Sequence, residues 1–494
     1  MAFESAGAGT PLLSQVSWEF DMPFRSSLLV MAQMVRDRRI SPVELVDAHL
    51  RQIDAQNPRL NAFVCVLAEQ AREAARRSET AVLKGETAHG EPLGLLHGVP
   101  VTVKDSFDMV GLPTYCGSKF RADHIAARDS TSAARLLAAG AIILGKTNAP
   151  EFLNMYETDN FITGRTNNPW DVSKTAGGSS GGEAAAIASF CSAGGIGSDG
   201  GGSIRVPAHF CGIAGLKPTP GRVPATGHYP MISHPGGLLG VGGPMARSAQ
   251  DLRLLFAALA GHDPEDPFSA PVPLRPPQRD GVKIGVWEQF YRTPVGPEIA
   301  VSLRDAAVCA RETGFGAHEF KPLGLERAHE LWWLFFSRIY APLTRTMISG
   351  REAESHWSGT ELMYRALAEP AVSTVELLGA LSARDRMRAA LLRQMEAAGI
   401  AAILMPVCGT AAFSHRQRHF PVDGGAIELL EAMTPVTPWN LLGMPAVVIP
   451  FGLTSGGLPI GVQIVGRPWD EETILDIAVR LEQTRGPLPA PPGA

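Results

Sequence analysis

Apolar positions along this chain switch repeatedly between helical and strand-like spacing. Ser41-Pro42-Val43-Glu44 has the form of a capping box with proline at the first helical position, and Leu45, Val46, His49, Leu50 and Ile53 continue at helical spacing. Asn57-Pro58 is expected to stop that helix. Positions 62–67 read as a strand, and 68–83, rich in Ala, Glu and Arg, as the next helix. The run 98–104 (GVPVTVK) reads as a short buried strand, 130–139 as a helix and 141–144 as a strand. Beyond residue 245, strands over 282–287 and 403–405 bracket a helix over 297–313 and a long helical stretch over 326–398. A strand pair, 446–451 and 460–465, precedes a closing helix over 471–483. The first 25 residues predict an extended arm, and the proline-rich end, about 485–494, a flexible tail. Alternation of strands and helices predicts an α/β fold, a sheet covered by helices on both faces.

A length of 494 residues corresponds to about three average domains, but no internal repeat or long linker divides this chain. One domain, 1–494, is therefore expected, with a catalytic core over about 60–260 and a helical elaboration over about 290–400 on the substrate side. At 45% hydrophobic and 19% charged residues, the chain can bury a large core. Forty-four Lys and Arg against 49 Asp and Glu, with no basic block, argue against a nucleic-acid groove. The longest apolar runs, such as 331–336 (LWWLFF), fall far short of a membrane span. No secretory signal is read at 1–13, and the six cysteines lack CxxC spacing, so reduced thiols and a cytoplasmic location are expected.

Glycine is concentrated: 19 of the 52 glycines fall within positions 177–243. There, two serine-bearing glycine loops flank a helix of small residues over 183–192. Neither is a phosphate loop, because GKS/GKT and GxGxxG spacing are both missing. Gly200, Gly201 and Gly202 precede Ser203, so backbone N–H groups can converge there as an oxyanion hole. A helix over 204–210 would add its dipole near Ser203. Ser203 needs a base, and no histidine lies in these loops. Lys104, ending an apolar strand, is the candidate, since desolvation favours a neutral amine.

The run GGSSGGEAAAIASFCSAGGIGSDGGGSIRVPA (177–208) resembles the signature of the amidase signature family of serine hydrolases. Gly177, Ser179, Ser180, Gly182, Asp199, Gly201, Ser203, Arg205 and Pro207 carry the likeness. It extends to GVPVTVKD (98–105), GLKPTPGRVP (215–224) and GPMARSAQDL (243–252), and more weakly to 40–46, 440–450 and 458–466. The resemblance implies a mixed sheet and a Ser–Ser–Lys triad. Lys104 is then the base, Ser179 a bridging serine after a cis peptide bond, and Ser203 the nucleophile. The N–H groups of Gly200, Gly201, Gly202 and Ser203 are the oxyanion hole. Neither a metal nor a cofactor is implied.

Plainer readings stand beside these. Ser180 either caps the following helix or hydrogen-bonds within the site. Asp199 and Arg205 read as an ion pair orienting the nucleophile loop. His415 and His419 have metal-like helical spacing but no third ligand nearby, so a surface reading is preferred. His228 and His234 follow the core motif and are candidates for substrate contact. Leu153, Asn154 and Met155 are expected by resemblance to border the acyl pocket. Tyr115 and Cys116 stand where many relatives carry small residues, and Tyr115 is expected to narrow that pocket. Trp332, Trp333 and Phe336 read either as core or as an apolar cavity wall. The expected activity is hydrolysis of an apolar or aryl amide, with esters and carbamates (urethanes) as open variants, by a monomer or homodimer. The competing reading is the glutaminase (A) subunit of a glutamyl-tRNA amidotransferase-type complex.

Overall fold

The computed structural model describes residues 22–232, 239–278, 281–422 and 425–494. The arm expected over 1–25 thus lies, but for residues 22–25, outside the described residues.

Thirteen strands form among the described residues, the longest of them, such as 446–453 and 459–466, where the sequence runs apolar with β-branched residues. They are β1 (Phe63–Val66), β2 (Pro100–Lys104), β3 (Ile142–Thr147), β4 (Gly194–Asp199), β5 (Ala214–Lys217), β6 (Val241–Ala246), β7 (Lys283–Val286), β8 (Gly316–Glu319), β9 (Ile400–Pro406), β10 (His419–Val422), β11 (Gly425–Glu428), β12 (Ala446–Leu453) and β13 (Pro459–Gly466). Among the described residues, eleven of them make one sheet in the order β1-β3-β2-β4-β6-β5-β12-β13-β9-β7-β8, and β10 and β11 form a separate hairpin. The sheet is mixed. β2 runs parallel to β3 and β4, whereas β4 and β6, and the expected pair β12 and β13, are antiparallel. Both faces are covered. β9 sends Ile403 and Met405 into one apolar layer and Ala402 and Leu404 into the other. Period-two side chains buried on both sides explain why such strands read as continuous apolar runs.

Three expectations shift. Helix Pro42–Leu60 begins with the capping box but runs through Pro58. A proline removes one N–H from the ladder, and here the helix ends only where Asn61 turns left-handed and Asn57 Oδ1 accepts the Ala62 N–H at 2.8 Å. The helical elaboration is narrower than 290–400. Helix Pro297–Glu312 packs on the sheet instead, and β8 extends it by pairing parallel to β7. The added layer comprises Ala328–Trp333, a π-helical turn Leu334–Arg338, Ala341–Ile348, Trp357–Leu367 and Thr374–Ala398. Of the flexible tail expected over about 485–494, Arg485 still belongs to helix Glu471–Arg485, and the end lies against the first long helix, where Gln56 Nε2 donates to Gly493 O at 2.7 Å. All six cysteines are free thiols. No helix among the described residues is long and apolar enough to cross a membrane.

Candidate active site

Because β2 and β4 are parallel neighbours, their carboxyl ends open onto one edge of the sheet. β2 ends in Lys104, and β4 ends in Ser198 and Asp199. The loop before helix Gly181–Ala188 reaches the same ends, and its Gly178–Ser179 peptide is cis.

Lys104 Nζ lies 2.7 Å from Ser179 Oγ, 2.9 Å from Ser180 Oγ and 3.1 Å from Ser198 Oγ. The side chain is fully buried, and two neighbouring carboxylates face other cations. Asp105 pairs with Lys146 at 2.8 Å, and Asp199 with Arg205 at 3.0 Å. Burial lowers the Lys104 pKa to about 7. Of the two readings of Ser180, the hydrogen-bonded one fits, since its side chain makes no cap and instead meets Lys104. Beneath Lys104, Glu183 accepts from Thr102 Oγ1 and Thr147 Oγ1, each at 2.6 Å, and burial raises its carboxyl to about 7.

Ser203 follows β4 by a tight turn. Asp199 Oδ1 accepts the Gly202 N–H at 2.7 Å, and Oδ2 accepts the Ile204 N–H at 3.1 Å. Gly202 has φ +115°, a conformation rarely open to residues with a Cβ. Its N–H therefore does not take the place in an oxyanion hole that the glycine run suggested, because Asp199 already holds it. The Gly201 and Ser203 N–H groups donate to no protein acceptor among the described residues. Trp332 Nε1 donates to Gly200 O at 2.9 Å, which fixes that peptide plane and turns the Gly201 N–H the opposite way. A Cβ on Gly201 would come within 2.4 Å of the same indole. Tyr156 OH holds Gly201 O at 2.8 Å. Ser180 N–H donates to Ser203 O at 3.1 Å and ties the two loops together. Ser179 and Ser203 border one cavity, and no direct hydrogen bond joins their hydroxyls.

Arg205 opens helix Arg205–Cys211 and holds both Asp199 oxygens at 3.0 Å, Gln463 Oε1 at 2.7 Å and Val436 O at 2.7 Å. Asn440 Nδ2 donates to Asp199 Oδ1 at 2.9 Å. Burial opposes the charge on Asp199, but the Arg205 guanidinium outweighs it and keeps the carboxyl well below the usual carboxylate range. Arg205→Met would leave a charged carboxylate buried without its cation. The expected result is a loss of about 3–5 kcal/mol in urea unfolding, against little change for an exposed Arg77→Met control.

A cavity of about 270 Å³ opens from Ser179 and Ser203. Phe152, Leu153 and Asn154 form one wall, Tyr229, Pro230, Met231 and Ile232 a second, and Phe336, Tyr340, Leu343 and Met347 a third. Leu153 and Asn154 thus border this cavity, and Met155 and Tyr115 are not among its lining residues. Phe152 and Leu153 are left-handed, at φ 53° and 60°, and the reversal sends Met155 into the core. Cys116, at φ 51°, takes the buried position beside Tyr115, with its N–H on Asp105 Oδ2 at 3.1 Å and its Sγ 3.4 Å from Tyr229 O. Trp332 and Trp333 are core, and Phe336 lines the cavity, stacked on Trp332 at 4.7 Å. His228 is buried edge-on to Phe107 and is no cavity residue, and His234 lies outside the described residues. His415 is in a loop and His419 starts β10, so their helical spacing is not realised. No cluster of three metal-capable side chains occurs among the described residues.

The family model described as Amidase matches residues 44–475. The chain belongs to the amidase signature family. This amidase is a carbon–nitrogen hydrolase, and its fold is that of its structural relatives. It is 34% identical over 473 residues to indoleacetamide hydrolase of Bradyrhizobium diazoefficiens, covering 92% of this chain and 86% of that one. It is also 34% identical over 491 residues to the A subunit of glutamyl-tRNA(Gln) amidotransferase from Anaeromyxobacter dehalogenans, covering 93% and 96%. Among solved structures, a bacterial aryl acylamidase of the family superposes with a TM-score of 0.80 at 28% identity, covering 93% of this chain and 96% of that one.

Proposed function

We propose that this amidase cleaves amides of apolar or aryl acyl groups through an acyl-enzyme on Ser203. The neutral amine of Lys104 takes the Ser179 Oγ proton as Ser179 takes that of Ser203. Ser203 Oγ attacks the carbonyl carbon, and the N–H groups of Gly200, Gly201 and Ser203 receive the oxyanion. The relay then reverses, protonating the leaving amine, and water releases the acid in a second round. The 2.7 Å contact of a desolvated Lys104 with Ser179 supports the first transfer. The second requires the Ser179 and Ser203 hydroxyls to close on each other when substrate fills the cavity, as catalytic hydrogen bonds often do. No step calls on a metal or cofactor. Esters and carbamates follow the same path.

The observation that carries the substrate class is the cavity wall, in which Phe152, Leu153, Phe336, Leu343, Met347 and Met363 face the space next to Ser203. Identity to indoleacetamide hydrolase supports an aryl acyl group. The glutaminase reading is supported by identity to a component of glutamyl-tRNA(Gln) amidotransferase. Against it, none of the described cavity residues is a Lys or Arg that could hold the α-carboxylate of glutamine. A panel of arylacetamides, anilides, aliphatic amides, malonamate and glutamine tests the choice. The purified chain, as monomer or homodimer, should turn over arylacetamides with a kcat/KM at least about tenfold above malonamate or glutamine. Faster turnover of a charged short amide overturns the apolar reading, and activity only with a partner favours the complex.

A further inference from the structure

The turn after β3 is an unusual piece of cavity wall. Phe152 and Leu153 are consecutive left-handed residues with side chains, and both line the cavity. Such backbone persists only where its surroundings over-determine it. The residue before them, Glu151, is 1% exposed. Its Oε1 accepts from Ser118 Oγ at 2.9 Å, and its Oε2 accepts the His356 N–H at 2.6 Å. Its own N–H donates to Ser358 Oγ at 3.1 Å, and Asn154 Nδ2 donates to Gly359 O at 3.1 Å. His356, Ser358 and Gly359 form the start of helix Trp357–Leu367, which brings Met363 to the cavity. One buried carboxylate thus joins the turn of one wall to the helix of another. Burial pushes this carboxyl up to about 7, so an acid here is held at a cost that space-filling alone does not require.

We propose that Glu151 is a positioning residue. Its carboxylate ties the left-handed 151–154 turn to helix Trp357–Leu367 and thereby sets which acyl groups the cavity accepts. Glu151 does not touch the reacting atoms. It fixes the spacing between Phe152 and Leu153 on one side and Met363 on the other. A cavity-filling acyl group depends on that spacing, whereas an acetyl group does not reach it. The proposal rests on reading this cavity as the acyl pocket.

Glu151→Gln keeps the size and replaces one acceptor by an NH2, which then faces the Ser118 hydroxyl or the His356 N–H. Two readouts are taken on the full chain. One is the ratio of kcat/KM for phenylacetamide to that for acetamide, and the other is amide hydrogen exchange over 150–156 and 356–363. The expected ratio falls by about tenfold or more, mainly through KM for phenylacetamide, and exchange quickens in both segments. Ser118→Ala, which removes one donor to Glu151 and also the acceptor that Ser118 Oγ offers the Phe120 N–H at 3.3 Å, should move both readouts the same way by about two- to threefold, and it decides the matter if Glu151→Gln does not fold. A ratio within twofold of wild type, even with both rates reduced, overturns the proposal, as does unchanged exchange in either segment. If the wild-type enzyme hydrolyses neither amide, the acyl-pocket reading has failed, and the exchange data still decide whether the tie exists.

Discussion

Ser203→Ala is expected to lower kcat/KM on every amide, ester or carbamate substrate by about 10⁴-fold or more and to leave the fold intact. The size follows from the role. A nucleophile makes the covalent bond that divides the reaction, and members of such a triad fail together when any one is removed. The intact fold follows from the site. Ser203 Oγ has no protein partner among the described residues, so its loss orphans no buried donor or acceptor. What ties the nucleophile loop to its neighbour is backbone, the Ser180 N–H on Ser203 O at 3.1 Å, and alanine keeps it. The checks are turnover with an arylacetamide, thermal unfolding, and mass spectrometry for an acyl adduct on wild type that is missing from the variant. Near-wild-type turnover by Ser203→Ala, or an adduct at another residue, removes Ser203 from the mechanism.

Sequence carried the local half of this site well. Glu44 and Ser41 close their capping box within four residues, and β2 reads directly as an apolar run ending in Lys104. Lys104 and Ser203 could be singled out because a glycine run before a serine and a lone lysine ending an apolar strand are unusual enough to be seen without a structure, whereas Ser179 came only with the resemblance of 177–208 to the amidase signature. Their convergence could not, since it depends on β2 and β4 lying parallel and adjacent. Contacts made across long separations were likewise invisible. Trp332 reaches Gly200 O across 132 positions, and nothing within 331–336 distinguishes the indole that shapes the nucleophile loop from its neighbour Trp333. Gly202 is a different case. Asp199 three residues earlier is a common way for a carboxylate to take a backbone N–H, and that spacing was legible. Met155 and Tyr115 lie off the cavity where the chain turns left-handed at Phe152, Leu153 and Cys116, and no glycine or asparagine at those positions announces the reversal.

Lys104→Met is expected to reduce kcat by about 10³-fold, the usual weight of a general base, and its effect on pH dependence tests the base more sharply than the rate does. In wild type the active form is the neutral amine, so kcat/KM should rise with pH and level off above about 7, the value to which burial lowers Lys104. The same proton appears in stability. An unfolded chain keeps a lysine protonated to about 10.4, whereas the folded protein releases that proton near 7. Between those limits the unfolded state binds more protons, so the Lys104 contribution to stability grows as pH rises through the window and is lost as pH falls toward 7. Methionine has no proton to lose. Its effects on packing, and on the hydroxyls of Ser179, Ser180 and Ser198, are the same at every pH. The difference in unfolding free energy, variant minus wild type, should therefore become more favourable to the variant between pH 9 and pH 7, whatever its offset. Urea unfolding of both proteins at several pH values measures that slope. A flat difference, together with a wild-type rate profile flat between pH 6 and 9, is incompatible with Lys104 as the neutral base, because a group that abstracts a proton in the folded site must also carry the linkage that its burial creates.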